Sequence, residues 1–205
     1  MTKLIMANVE IRPLRNDEID GAIHALHGLK TNHPPEFEFH LERKVDSVNY
    51  VIRGLSAMKE QMRHPIISYV KDTFLLRPRF SAHGIFIDGK LSAVSTGCHR
   101  IHDRPVYTDL FNVKLGEVDN ENMKKLIVGK WEFAKLNGFR VITGMIGLGK
   151  FSKPDVRRVQ GGIKVPKLLE NAAMQAGFKV THYNPETREF ILMVPSEKPD
   201  NWVFV

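Results

Sequence analysis

Residues 106–149 constrain this chain more than any other stretch. They read as an apolar strand, VYTDLFNV, a polar loop, KLGEVDNEN, an amphipathic helix, MKKLIVGKWEFAKLNG, and a second strand, FRVITGMIG. Two strands joined through a helix belong in one mixed sheet as a parallel or splayed pair. The helix begins near Asn120, sets Met123, Leu126, Ile127, Trp131 and Ala134 on one side, and ends at Asn137-Gly138, a good C-terminal cap. The loop before it is the kind of place where free backbone N–H groups converge on an anion.

The segments around this centre carry their own signals. Residues 9–14, VEIRPL, alternate and predict a strand. Asn16 can cap the helix that follows, Asp17 and Glu18 suit its first turn, and Ile19, Ala22, Ile23, Leu26 and Leu29 form its apolar face. Residues 31–35 break that helix, and EFEFHLERK reads equally as a short strand or an exposed turn. Asp46 and Ser47 cap a second helix carrying Val48, Val51, Ile52, Leu55 and Met62, which stops at His64-Pro65. From Ile66 the pattern predicts strands: IISYV, FLLRPRF, and then GIFIDGKLSAVSTGCHRI folded about an Asp88-Gly89 hairpin turn. After the basic stretch GLGKFSKPDVRRVQGGIK, residues 165–176 predict a helix with Pro166 in its first turn and Gly177 at its end. FKVTHYN and REFILMV close the chain as two strands around residues 184–187.

Composition narrows the class. The 205 residues suit one domain spanning 1–205 and are enough to bury a core. No apolar run approaches the roughly 20 residues of a membrane helix. The N-terminal apolar run is too short for a signal peptide, so a cytoplasmic setting with no membrane partner is expected. A single cysteine, Cys98, excludes an internal disulfide. The formal net charge of +7 favours anionic partners such as a phosphorylated cofactor or nucleic acid.

The element order β, α, α, β, β, β, α, β, α, β, β, together with the passages VEIRPLRNDEI, GIFIDGKLSAVSTG, EFAKLNGFRVITGMI and AAMQAGFKVTHYNPETREFILMV, resembles the GNAT superfamily of N-acetyltransferases over nearly the whole chain. The resemblance implies an α/β fold of the α+β kind, a mixed and mostly antiparallel sheet flanked by about four helices. It implies transfer of an acyl group from acyl-coenzyme A, acetyl-CoA above all, to an amine. In that family the fourth strand splays from the fifth, coenzyme A lies in the gap, and a Q/R-x-x-G-x-G/A loop before the third helix holds its pyrophosphate. The corresponding positions here are Asn112, Val113, Lys114 and Gly116, but the glycine pattern is absent. Glu117, Asp119 and Glu121 stand in its place, which suits helix capping and would repel a pyrophosphate.

Arg158-Val-Gln-Gly161-Gly162-Ile163, preceded by Arg157, meets most of the loop pattern and lacks only its final glycine or alanine. It fits locally, but too little chain follows it to supply the family's last helix. This basic loop, with Lys150, Lys153, Lys164 and Lys167, either engages an anion or is a solvated charged surface. The family's frequent tyrosine acid on the last helix is replaced by Ala173. Asp109 and His99 are the candidate proton acceptors for an attacking amine; Asp109 reads equally as an exposed strand residue. His182 and Tyr183 are weaker candidates. Cys98, His99 and His102 lack a fourth ligand, so no metal is expected. Two functions stay open: an acyltransferase with an unorthodox cofactor loop, and a degenerate GNAT-fold protein that binds nucleic acid or a protein assembly through a basic surface.

Overall fold

The structure, a computed structural model, describes residues 8–31, 38–101, 106–145, 156–158 and 164–195. Its frame is a seven-stranded sheet built from β1 (Val9–Pro13), β2 (Arg79–Ile87), β3 (Lys90–His99), β4 (Val106–Lys114), β5 (Val141–Met145), β8 (Lys179–Tyr183) and β9 (Glu189–Met193), in the order β1-β2-β3-β4-β5-β9-β8. A short ribbon, β6 (Val156–Arg158) with β7 (Lys164–Pro166), stands apart from it. Among the described residues five α-helices accompany the strands: α1 (Ile19–Thr31), α2 (Glu38–Arg63), α3 (Pro65–Phe74), α4 (Asn120–Leu136) and α5 (Lys167–Gln175). This is the mixed, mostly antiparallel sheet expected of a GNAT-like fold.

Strand alternation divides the core between two faces. Ala82, Phe86, Val94 and Val113 point to α1 and α2, where they meet Ile19, Leu26, Val51 and Leu55. Ile85 and Ala93 point the other way, to Leu126 of α4. Trp131 and Ala134 of α4 join Leu169 and Ala173 of α5 over Ile142, Phe190 and Leu192. Fully burying one such aliphatic side chain stabilises the fold by roughly 1.5–3 kcal/mol. The β2–β3 turn is the predicted Asp88-Gly89 hairpin, and both residues take positive φ, 50° and 80°.

Four local readings differ from the structure. FLLRPRF, read as a strand, is mostly not one: Phe74 ends α3, residues 75–78 lie between elements, and only Arg79 and Phe80 belong to β2. IISYV, read as a strand, is helix α3. Pro65 opens it, Ser68 N–H bonds the His64 carbonyl at 2.8 Å, and inward-facing Ser68 and Asp72 at i, i+4 set a helical rather than an alternating period. The branched residues suggested a buried strand because their exposure could not be foreseen. The ambiguous stretch before residue 46 is mostly helix, since α2 already runs from Glu38. Val165 and Pro166 belong to β7, so α5 starts two residues later than expected, with Pro166 in extended conformation at its N-cap.

β4 and β5 are the parallel pair among the described strands, and their contact is short. Val106, Tyr107 and Thr108 pair with Val141, Ile142 and Thr143, and the ladder ends there. On its other side β4 bulges: Ser95 faces Asn112 and Gly97 faces Asp109, so Leu110 and Phe111 together oppose the single residue Thr96. The extra residue turns β4 as it leaves β5. Past Thr108, no described strand pairs with β4 on the β5 side.

Candidate functional site

The bulge organises a buried polar cluster. His83 on β2 faces Ser95 on β3, which faces Asn112 on β4, so the three share the face toward α4. Asp109 lies on the same face and is buried. From α4, Lys130 reaches in with a completely buried side chain. Its ammonium donates to the Asp109 carboxylate and the Ser95 hydroxyl, and at 3.3 Å to the Thr96 carbonyl and Asn112 Oδ1. The other Asp109 oxygen accepts from Trp131 Nε1 at 2.6 Å. Ser95 in turn donates to Asn112 Oδ1, and Asn112 is exposed, so the cluster runs from the interior to the surface on the unpaired part of β4.

Charge here is held by pairing. Burial pushes the Lys130 amine down from its ordinary range, and the adjacent Asp109 carboxylate opposes that shift. The His83 imidazole is pushed down to about 4 by burial, with the Lys130 charge acting in the same direction. It is therefore neutral at pH 7, edge-on to Phe133 at 4.8 Å, and neither ring nitrogen has a hydrogen-bond partner among the described residues.

Two glycines make room for this arrangement. A Cβ on Gly144 would stand 2.9 Å from Asp109 Cβ and 2.8 Å from Phe190 Cζ. A Cβ on Gly97 would fall 1.9 Å from the Tyr107 hydroxyl, which crosses β3 at that point to bond Ser81 Oγ at 2.8 Å. Burial pushes the Tyr107 phenol well above its ordinary range, so it stays neutral.

The loop between β4 and α4 is largely satisfied from within. Leu115 N–H and Gly116 N–H bond the Ser92 carbonyl at 2.9 and 3.1 Å. The exposed Lys114 donates to the Val118 carbonyl at 2.6 Å. Asp119 caps α4 by accepting from Asn122 N–H at 2.6 Å. Gly116 borders open space, whereas Val113 is buried toward α1 and α2.

His99 lies elsewhere. It ends β3, rests on the Phe139 ring at 4.7 Å and lines a separate cleft of about 770 Å³ with Arg79, Arg100 and Tyr69. Burial and Arg79 push its imidazole down. The structure thus joins Asp109 and Asn112 in one cluster and keeps His99 apart.

Arg157 and Arg158 are on β6, where they pair with Val165 and Lys164. Gly161, Gly162, Lys150, Lys153 and His102 lie outside the described residues. His182 is exposed, Tyr183 is buried, and Ala173 is fully buried against the sheet. The half-buried Cys98 has its thiol pushed up to about 11 by burial.

Sequence reasoning missed Lys130, Ser95 and His83. A signal for Lys130 existed: it sits four residues from both Leu126 and Ala134, on the apolar stripe of α4, where a lysine must either turn outward or find an internal partner.

No family model matches the chain, and no curated protein does. Among solved structures it is similar to the PaiA N-acetyltransferase of Thermoplasma acidophilum in complex with coenzyme A, at 16% identity and TM-score 0.43 over 90% of this chain and 97% of that one. It is similar to a candidate GNAT-family acetyltransferase of Desulfovibrio desulfuricans at 10% identity and TM-score 0.48, covering 92% and 100% of the two chains. The figures for an N-acetyltransferase of Staphylococcus aureus are 9% identity, TM-score 0.46, and 92% and 99% coverage. At such identities and TM-scores these likenesses assign no activity to this chain.

Proposed function

We propose that this chain transfers an acyl group from acyl-CoA, in the simplest case acetyl-CoA, to an amine. One observation carries the reading: the β4–β5 ladder ends at Thr108 and Thr143 where β4 bulges, and among the described residues no strand pairs with residues 110–114 on the β5 side. An extended amide-bearing ligand can take the place of the missing strand there. Acyl-CoA would supply a thioester whose C–S bond breaks as the nitrogen of the neutral amine forms the C–N bond, the nitrogen then losing one proton and the thiolate gaining one; an amine arriving as ammonium gives up a further proton to a base first.

In this reading the backbone of Asn112 and Val113 aligns the cofactor, with Lys114 and Gly116 at the mouth of the gap. Arg157, Arg158, Gly161 and Gly162 are the proposed contacts for its phosphates. Asp109 is the proposed carboxylate of the site. Because Lys130 and Trp131 hold its two oxygens, its first role is to fix the bulge, and accepting a proton requires one of those bonds to open. Asp109→Asn separates the roles: loss of rate with unchanged acetyl-CoA affinity marks a proton acceptor, and loss of affinity marks a brace. His99, in its separate cleft, is the second proposed base.

The β4–α4 loop favours a different reading. Its Leu115, Gly116 and Asn122 amides already have acceptors, and Glu117, Asp119 and Glu121 crowd the same turn. A pyrophosphate there would displace the Ser92 carbonyl and the Asp119 cap while meeting like charge. A GNAT-fold protein that has lost acyl-CoA and binds nucleic acid or a protein assembly fits that loop. Heat unfolding with acetyl-CoA decides between them. Binding at 100 times Kd stabilises by about 2.7 kcal/mol, whereas salt-sensitive retention of DNA or RNA that Arg157→Ala with Arg158→Ala abolishes, without any acetyl-CoA shift, supports the second.

A further inference from the structure

Helix α3 is built inside out. Ser68 and Asp72 face the protein and bond each other at 3.1 Å, while Ile66, Ile67, Val70 and Phe74 face outward, joined by Leu75 and Leu76 after the helix. Each of these six is at least half exposed, and Phe74 is 86% exposed. Their combined area is on the order of the ~800 Å² per partner that a standard protein interface buries. Solitary exposed apolar residues are ordinary; a contiguous patch of this size marks a contact surface.

The patch continues into the cleft of about 770 Å³, for which Ile66 and Tyr69 form one wall and Arg79, Arg100 and Phe139 the other. Along α3 and its immediate flanks the exposed charge is basic. Between residues 63 and 79 the chain carries Arg63, Lys71, Arg77 and Arg79 against a single acid, Asp72, which is buried. A second copy brought face to face would set one basic rim against another. A flat anionic bilayer would cover the helix and leave the cleft empty. A partner that fills the cleft with a projecting side chain and answers the rim with carboxylates satisfies both features.

We propose that the outward face of α3 and the adjoining cleft form a docking surface for an acidic protein segment that inserts an aromatic or branched aliphatic anchor. Lys71, Arg77, Arg79 and Arg100 steer the segment, and the apolar strip from Ile66 to Leu76 supplies the buried contact. The proposal does not depend on whether the β4–β5 gap holds acyl-CoA, but an anchor in the cleft would cover His99, which lines it, and leave Asp109 as the proposed base.

The test is selection from a random dodecapeptide display library against the full chain, followed by fluorescence anisotropy with synthetic copies of enriched peptides. The expected peptides place Phe, Trp or Leu among Asp and Glu, and their binding weakens as salt rises. Val70→Asp and, separately, Phe74→Ser are expected to weaken binding about tenfold or more, with circular dichroism unchanged. Ile67→Ser serves if either variant fails to fold.

Three results overturn the proposal. One is enrichment without an acidic and apolar signature, or binding that survives these substitutions. Another is a concentration-dependent dimer in sedimentation that Val70→Asp abolishes, which would assign the face to a second copy. The last is co-sedimentation with phosphatidylserine vesicles that Val70→Asp abolishes, which would assign it to a membrane.

Discussion

Helices α3 and α4 both depart from the rule that a helix buries apolar residues and exposes polar ones, and they do so in opposite ways. α4 carries a lysine on its buried stripe; α3 turns its polar residues inward and its apolar residues to solvent. The fold answers the first departure itself. Lys130 has Asp109, Ser95, Asn112 and the Thr96 carbonyl, and Asp109 has Trp131 as well. Nothing among the described residues answers the second. A misplaced group with internal partners belongs to the architecture, and one without them points outside the molecule.

The sharpest way to break this contrast is to remove the internal answer. Lys130→Met leaves the Asp109 carboxylate buried and unpaired and should cost about 3–5 kcal/mol in urea unfolding. Adding Asp109→Leu should restore most of that loss, because two apolar groups need no partners. A double variant as unstable as the single one would show that the pair is not what holds α4 to the sheet.

Acid probes the same interior through His83. Its folded-state value of about 4 lies below the ordinary 6.5, so between those pH values the unfolded chain binds a proton that the folded chain does not. Stability is therefore full above pH 6.5, falls as pH drops toward about 4 and levels off below it. The fall attributable to this group is about 3 kcal/mol. His83→Leu should flatten that limb of the stability profile. An unchanged limb would mean that other groups carry it.

Smaller effects sharpen the picture. Gly97→Ala forces a methyl onto the Tyr107 hydroxyl and should destabilise by about 1–3 kcal/mol. Val70→Asp, on the outward face of α3, should change the unfolding free energy by less than about 0.5 kcal/mol, since its side chain is largely exposed. A large loss there would mean that the face is part of the chain's own core.

Much of the frame was legible from sequence because it depends on local rules. The Asp88-Gly89 hairpin, the Asn137-Gly138 end of α4, the crossover from β4 to β5 and the closing β8–β9 pair all follow from turn chemistry and period. α3 was not legible, because a branched apolar run is compatible with a buried strand and an exposed helix alike. The candidate site was half legible. Asp109 is a candidate proton acceptor and Asn112 a cofactor-loop position implied by the resemblance, but their meaning depends on Lys130, Ser95 and His83, which distant parts of the chain bring to one sheet face. The bulge that gathers them is a register shift and leaves no residue signature.

On the proposed function, acyl-CoA lies where β4 and β5 part. Amide hydrogen exchange with and without acetyl-CoA tests it most directly. Slowed exchange is expected at residues 110–114, where no described strand pairs with β4 on the β5 side, with smaller changes across Arg157 and Arg158. Exchange unchanged throughout the chain at millimolar acetyl-CoA would contradict it.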